Sequence, residues 1–146
     1  MEEHMKKIVN EMKVILPSYS ANEGLCRTLT AAFVAQYNPT IEEISDIKCA
    51  VSEAVTNAIV HGYRFTPGEI QLKLRADDTR CIYLEIKDKG CGIENVETAM
   101  QPLFTTDPSG ERSGMGFAVM QTFTDKLSVR SKPGRGTVVS MRKKLS

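Results

Sequence analysis

The chain has 146 residues, 41% of them apolar and 25% charged, the proportions of one soluble globular domain that buries about two-thirds of its unfolded surface. A formal net charge of +1 supplies no field to attract nucleic acid or a membrane surface, and no apolar run approaches the ~18 residues of a spanning helix. Four widely spaced cysteines without a C-x-x-C pair, and only two histidines, argue against a zinc site or disulfide framework and suit the reducing cytoplasm.

Residues 1–8 form a charged start, and a single domain is expected over residues 9–146. Residues 12–16 alternate as a strand that Pro17 ends. Ser20 and Glu23 have the spacing of a capping box, with Leu25, Leu29, Ala32 and Phe33 following at helical intervals. Pro39 breaks that helix. Thr40 and Glu43 form a second box, opening a long helix with Ile44, Ile47, Val51 and Val55 on its core side and Gly62 as its stop.

On that second helix Glu53 and Asn57 lie about 200° round from Val51 and one turn apart, so a carboxylate stands beside a carboxamide oxygen on the face away from the core. Such a pair suits a proton acceptor next to a hard-cation ligand, although most Glu/Asn pairs at this spacing are simply solvated.

Two period-2 strands follow, with Ile70, Leu72 and Leu74 on one face of the first and Ile82, Leu84 and Ile86 on one face of the second; Asp77-Asp-Thr between them suits a hairpin turn. Asp88 continues the apolar row of the second strand and is expected to face the interior, where a carboxylate is costly unless a partner hydrogen-bonds to it. Gly90 and Gly92 then allow backbone to approach a flat ligand, and a buried acceptor there suits the amino group of a purine; a strand-end Asp in an ordinary turn is the plainer alternative.

Residues 89–115 are loop-rich, with a helical turn near 96–100. Gly110-Glu-Arg-Ser-Gly114-Met-Gly116 precedes a helix over about 113–124. Glycines at a helix start leave N–H groups for an anion, and Arg112 offers a bidentate phosphate contact, but this is neither a Walker A loop nor a Rossmann fingerprint. Strands near 127–131 and 137–143 are joined by Lys132-Pro-Gly-Arg-Gly136. The order of elements gives an α+β two-layer sandwich: a mixed, mostly antiparallel sheet covered on one face by helices.

Taken together, the order E-x-x-x-N (Glu53, Asn57), D-x-G-x-G (Asp88, Gly90, Gly92), G-x-x-x-G-x-G (Gly110, Gly114, Gly116) and G-T (Gly136, Thr137) resembles the Bergerat ATP-binding fold of gyrase-type ATPases, heat-shock chaperones, mismatch-repair proteins and histidine kinases. Residues 52–62, 101–106 and 111–117 look like the bacterial anti-sigma serine kinases. The resemblance implies that Asn57 ligates Mg²⁺, that Asp88 receives the adenine amino group with help from Thr137, and that Gly90 and Gly92 shape the base pocket. It also implies that Thr105, Thr106, Arg112, Gly114 and Gly116 lie in or beside a lid over the phosphates of ATP or ADP. Glu53 would be the general base for phosphoryl transfer to a serine. His61 completes the helix pattern as a helix-end structural residue.

The implied partners are a sporulation sigma factor, an anti-anti-sigma protein phosphorylated on serine and a second copy of the chain, with Arg27 as a partner contact and no direct nucleic acid or membrane. Competing readings are a stress-response anti-sigma kinase and a non-catalytic ATP-gated binding module; Glu53, which binding alone does not need, speaks against the latter.

Overall fold

A computed structural model describes residues 6–100 and 116–146. Strand β1 (Ile8–Pro17) leads into helices α1 (Ala21–Ala35) and α2 (Ile41–Asn57), and a π-helical turn (Ala58–Gly62) continues α2. Strands β2 (Glu69–Asp77) and β3 (Cys81–Asp88), a short helix α3 (Val96–Ala99), helix α4 (Gly116–Phe123) and strands β4 (Lys126–Lys132) and β5 (Gly136–Lys144) complete the order. The five strands form one sheet, β1-β2-β3-β5-β4. Among the described residues every pairing is antiparallel, where the sequence left room for a mixed sheet.

Alternation decides which face of the sheet is covered. Leu72, Ile86 and Val139 stand in one cross-strand row and Leu74, Leu84 and Met141 in the next, all buried beneath the helices. The side chains between these two rows, Lys73, Glu85 and Ser140, face outward and are polar. Lys73 meets Glu11 at 3.4 Å, and the Arg75 guanidinium lies 5.5 Å from the Tyr83 ring centroid.

The two candidate capping boxes have different outcomes. Thr40 and Glu43 cap α2 reciprocally, the Glu43 N–H donating to Thr40 Oγ1 at 3.0 Å and the Thr40 N–H to Glu43 Oε1 at 2.8 Å. Ser20 has helical dihedrals (φ −55°, ψ −34°) and makes no side-chain cap. Glu23 is drawn away from it, accepting a hydrogen bond from Ser52 Oγ on α2 and pairing with Arg27 Nε at 2.9 Å.

The core stripe of α1 is also rotated by one position from the expected Leu25, Leu29, Ala32 and Phe33. Cys26, Thr30, Phe33 and Val34 are buried, whereas Leu25 is 42% exposed. Thr30 tolerates burial because its hydroxyl donates to the Cys26 carbonyl at 2.7 Å. On α2, Ile47, Val51 and Val55 face the core as expected, and Ala50 and Ala54 join them. The basic run 142–144 is not simply solvated: Lys143 reaches inward to Asp46 at 3.4 Å and to the Phe123 carbonyl at 3.0 Å.

At the β2–β3 turn Asp77, 1% exposed, organises the hairpin. Its Oδ1 accepts from the Thr79 and Cys81 N–H groups at 2.8 and 3.0 Å and from Thr79 Oγ1 at 2.7 Å, while Oδ2 accepts from the Tyr83 hydroxyl at 2.9 Å. Burial alone would raise the carboxyl pKa, but these hydrogen bonds outweigh it and bring it from 3.8 to about 2. A depressed acid stabilises the fold above its unfolded pKa and loses that contribution as the pH falls through its folded value. Asp77→Asn is therefore expected to cost about 2 kcal/mol at pH 7. In urea denaturation the gap to wild type should narrow steadily below about pH 4, and a gap that does not change with pH would refute the assignment.

Candidate functional site

One rung of the covered sheet face breaks the apolar pattern. Leu16, Ile70, Asp88, Thr137 and Ser131 stand opposite one another across the five strands, so polar groups occupy the last three places. Asp88, 7% exposed, faces the interior as its place in the alternation predicts. It is also the turn residue of the plainer reading, because its Oδ1 accepts from the Gly90 N–H at 2.9 Å. Both readings hold at once. Burial raises the Asp88 pKa, and the N–H groups of Gly90 and Thr137 only partly offset that.

The chain packs closely around this carboxylate. The π turn at the end of α2 closes with the Tyr63 N–H on the Ala58 carbonyl at 2.8 Å and brings Gly62 against Asp88, where a Cβ on Gly62 would lie 3.0 Å from Oδ1. A Cβ on Gly90 would fall 2.2 Å from the Gly62 carbonyl oxygen, and one on Gly92, at φ +76°, would fall 2.1 Å from that of Lys132. These glycines therefore admit other backbone rather than a ligand directly. Gly90 stands behind the site, whereas Gly92 lines it. Cys91 between them is tied on both sides, its N–H to the Gly62 carbonyl at 2.8 Å and its carbonyl to the Gly134 N–H at 2.7 Å.

The result is a cleft of about 560 Å³ between α2, α3, α4 and the polar rung. Asp88, Thr137 and Val139 form its sheet end. Glu53 and Asn57 line the helical end, one turn apart, while Val51 and Val55 on the opposite side of α2 are buried. Gly116, the first residue of α4, closes on the pair: a Cβ there would meet Glu53 Oε2 at 3.3 Å and both side-chain atoms of the Asn57 amide at 3.4 Å. Cys49, one turn before Glu53, remains a thiol, its pKa raised by burial and then by the Glu53 and Asp46 carboxylates.

Of the residues singled out in the sequence, Glu53, Asn57, Asp88, Gly92, Gly116 and Thr137 meet in this one cleft, with His61 on its wall. Arg27 stands apart on α1, half-exposed and paired with Glu23. Thr105, Thr106, Arg112 and Gly114 lie outside the described residues. Tyr63 is a functional neighbour that no motif in the sequence names. It is 9% exposed, its hydroxyl donating to the Glu69 carbonyl and accepting from the Lys89 N–H at 2.7 Å, so it fixes the backbone beside Asp88. An aromatic just past a helix-stop glycine is the signal that could have marked it. Ser131 carries no motif that could have marked it.

The described lining carries three carboxylates, Glu53, Asp88 and Glu94, against one guanidinium, Arg64. No cluster of three His, Cys, Asp or Glu side chains suited to a metal occurs among the described residues. A polyanion seated here needs added positive charge, and a single carboxamide oxygen, from Asn57, suits Mg²⁺, which keeps most of its shell from waters and phosphate oxygens.

The profile of the family described as histidine kinase-like ATPase domain matches residues 17–143. The chain is 56% identical over 134 residues to the anti-sigma F factor of Thermoanaerobacter pseudethanolicus, covering 92% of this chain and 93% of that one. It is 48% identical over 138 residues to the anti-sigma F factor of Bacillus licheniformis, covering 94% of each. The solved structure of the RsbU and RsbW domains of Rv1364c from Mycobacterium tuberculosis aligns over 94% of this chain and 33% of that one. Its TM-score is 0.69 at 18% identity, a likeness of fold.

A buried carboxyl whose pKa is raised binds its proton more tightly in the folded than in the unfolded chain, so its ionisation costs stability as the pH rises. The ligand-free Asp88→Asn protein is therefore expected to melt above wild type at pH 7. That advantage should shrink as the pH is lowered through the wild-type carboxyl's raised pKa. Scanning calorimetry at several pH values measures it, and a lower melting temperature for the variant throughout would contradict it.

Proposed function

This chain belongs to the histidine kinase-like ATPase domain family, among the anti-sigma factors, and we propose that it is an ATP-dependent protein serine kinase that also holds a sporulation sigma factor inactive. Residues 9–146 are one ATP-binding kinase domain in this reading. The observation that carries it is the juxtaposition of two chemistries in one cleft. A buried acceptor, Asp88, lies at the sheet end, and a carboxylate beside a carboxamide, Glu53 and Asn57, stands at the helix end.

The adenine amino group donates to the Asp88 carboxylate, with Thr137 beside it, and the phosphates extend toward α2. Asn57 Oδ1 holds Mg²⁺, which supplies the positive charge that the lining lacks. Gly116 keeps α4 close to Glu53 and Asn57. Thr105, Thr106, Arg112 and Gly114, outside the described residues, are the proposed further phosphate contacts, with Arg112 as a bidentate partner.

Phosphoryl transfer requires in-line placement of nucleophile and leaving group, and one group to take a proton. The acceptor is a serine of an anti-anti-sigma protein. Its Oγ forms a bond to the γ-phosphorus as the bond from that phosphorus to the β–γ bridging oxygen breaks. ADP leaves with the electron pair, and the serine proton passes to the Glu53 carboxylate.

The sigma factor is the partner that the relatives' name supplies, and it is held while ATP is bound. Arg27, half-exposed on α1, is the proposed contact with partner proteins. Self-association into a homodimer is supported by exposed apolar side chains on β1, the connection after it and the start of α1: Ile8, Val9, Ile15, Tyr19 and Leu25. No helix among the described residues is long and apolar enough to cross a membrane, and the cytoplasm is the proposed location.

General-base help is worth roughly 10²–10⁴-fold. Glu53→Gln should slow transfer of labelled phosphate to the partner serine by that factor while nucleotide affinity stays within about threefold, because the carboxylate acts on the proton rather than on ground-state binding. Wild-type transfer by this variant would remove Glu53 from the mechanism. Tight nucleotide binding by the native protein without transfer to any anti-anti-sigma protein would leave a passive ATP-gated module instead.

A further inference from the structure

Ser131 lies opposite Thr137 in the β4–β5 register, as Thr137 lies opposite Asp88 between β5 and β3. Its Oγ is crowded with partners. The Ile93 N–H donates to it at 2.7 Å, the Gly136 carbonyl oxygen lies 3.0 Å away and Thr137 Oγ1 lies 2.8 Å away. A serine hydroxyl has one proton and two lone pairs.

The Gly136 carbonyl can only accept, so its 3.0 Å contact with Ser131 is a hydrogen bond when the Ser131 proton points to it, as the geometry has it. Ser131 Oγ then has lone pairs for two donors, and the Ile93 amide is one of them. The remaining close neighbour, Thr137, must be the other. Its own proton is therefore committed to Ser131, and only lone pairs of Thr137 Oγ1 face the cleft, beside the acceptor oxygens of Asp88.

We infer that Ser131 is a positioning residue for base selection: by holding the Thr137 hydroxyl as an acceptor, it makes this end of the cleft accept a 6-aminopurine and reject a 6-ketopurine. The inference rests on the proposed function, in which the base of ATP meets Asp88. A 6-amino group brings hydrogens to a wall of acceptors. A 6-keto oxygen brings lone pairs to the same place, so the contacts that the 6-amino group makes there are lost. With Ser131 absent, the Thr137 hydroxyl is free to rotate and donate toward the base, and the wall loses its single polarity.

The same hydroxyl holds the Ile93 N–H on the wall of the cleft, so a simpler structural role predicts a different result. Loss of the wall alone weakens both kinds of purine nucleotide equally, whereas loss of hydroxyl direction changes their ratio. The test is equilibrium titration of the full chain, with Mg²⁺, against ATP and inosine triphosphate, in wild type, Ser131→Ala and Ser131→Thr.

Wild type should favour ATP. Ser131→Ala should reduce that preference about tenfold, the worth of one hydrogen bond, and Ser131→Thr, which keeps the hydroxyl, should retain it. If Ser131→Ala does not fold, the isosteric Thr137→Val serves in its place and should lower the ratio as well. An unchanged ratio in the folded variant, or a wild type that binds both nucleotides alike, overturns the inference and leaves the ATP reading intact. A wild type that binds neither nucleotide overturns the reading and the inference together.

Discussion

An ionisable carboxyl, Asp88, occupies a place in the sheet that alternation reserves for an apolar side chain, and much of the surrounding structure answers to it. Its row neighbour toward β1 is Ile70 and the next row inward is wholly aliphatic. A charge there needs donors. The protein supplies two backbone N–H groups, from Gly90 and Thr137, and these only partly offset the rise in pKa caused by burial. Its charge is therefore only partly compensated by the fold. That shortfall is a cost to the empty fold and an affinity for whatever brings the donor.

Backbone rather than side chain makes room for it. The helix end, the loop after β3 and the β4–β5 turn meet so closely that a Cβ at Gly90, Gly92 or Gly136 would lie within 2.2 Å of a backbone oxygen. The last of these contacts is with the Asp88 carbonyl itself, at 2.1 Å. The extra residue per turn of the π segment carries Gly62 into the same junction. Helix α2 thus connects the two ends of the cleft, with Glu53 and Asn57 along its exposed side and its terminus against Asp88. A ligand reaching both ends would bridge the helical layer and the sheet.

How much of this was legible in the sequence depended on whether a local rule and the tertiary environment agreed. Period-2 alternation placed Asp88 inside, and helical spacing put Glu53 and Asn57 on one side of α2, because both patterns are dictated by backbone geometry. The two capping boxes share a spacing and differ in outcome. Glu43 serves its cap and the nearby Ser146 N–H, at 2.7 Å, whereas Glu23 is claimed by Ser52 from the adjacent helix and by Arg27 one turn on along its own. The stripe of α1 misled for a related reason: the reading favoured large aliphatic residues, while the helix buries Cys26 and a self-satisfied Thr30 instead. The π turn and Ser131 carry no pattern at all, and Tyr63 has only its place after a helix-stop glycine. Each matters through contacts with residues at least 5 positions away in the chain, and hydroxyl groups in a strand or loop do not announce which backbone they will meet.

The direction of a proton links these observations to function more closely than shape does. The rung from Asp88 through Thr137 to Ser131 contains one carboxylate and two hydroxyls, so its hydrogen-bond polarity is determined by where two protons point. The Gly136 carbonyl and the Ile93 amide, one an obligate acceptor and the other an obligate donor, determine both. Neither group touches the cleft through a side chain of its own kind: one is strand backbone, and the other belongs to the loop stitched to the helix end. Specificity at this site is therefore a property of the backbone framework, transmitted through Ser131. An aliphatic side chain at 131 could keep the volume of the cleft and still erase its preference, because volume does not tell an amino group from a carbonyl oxygen.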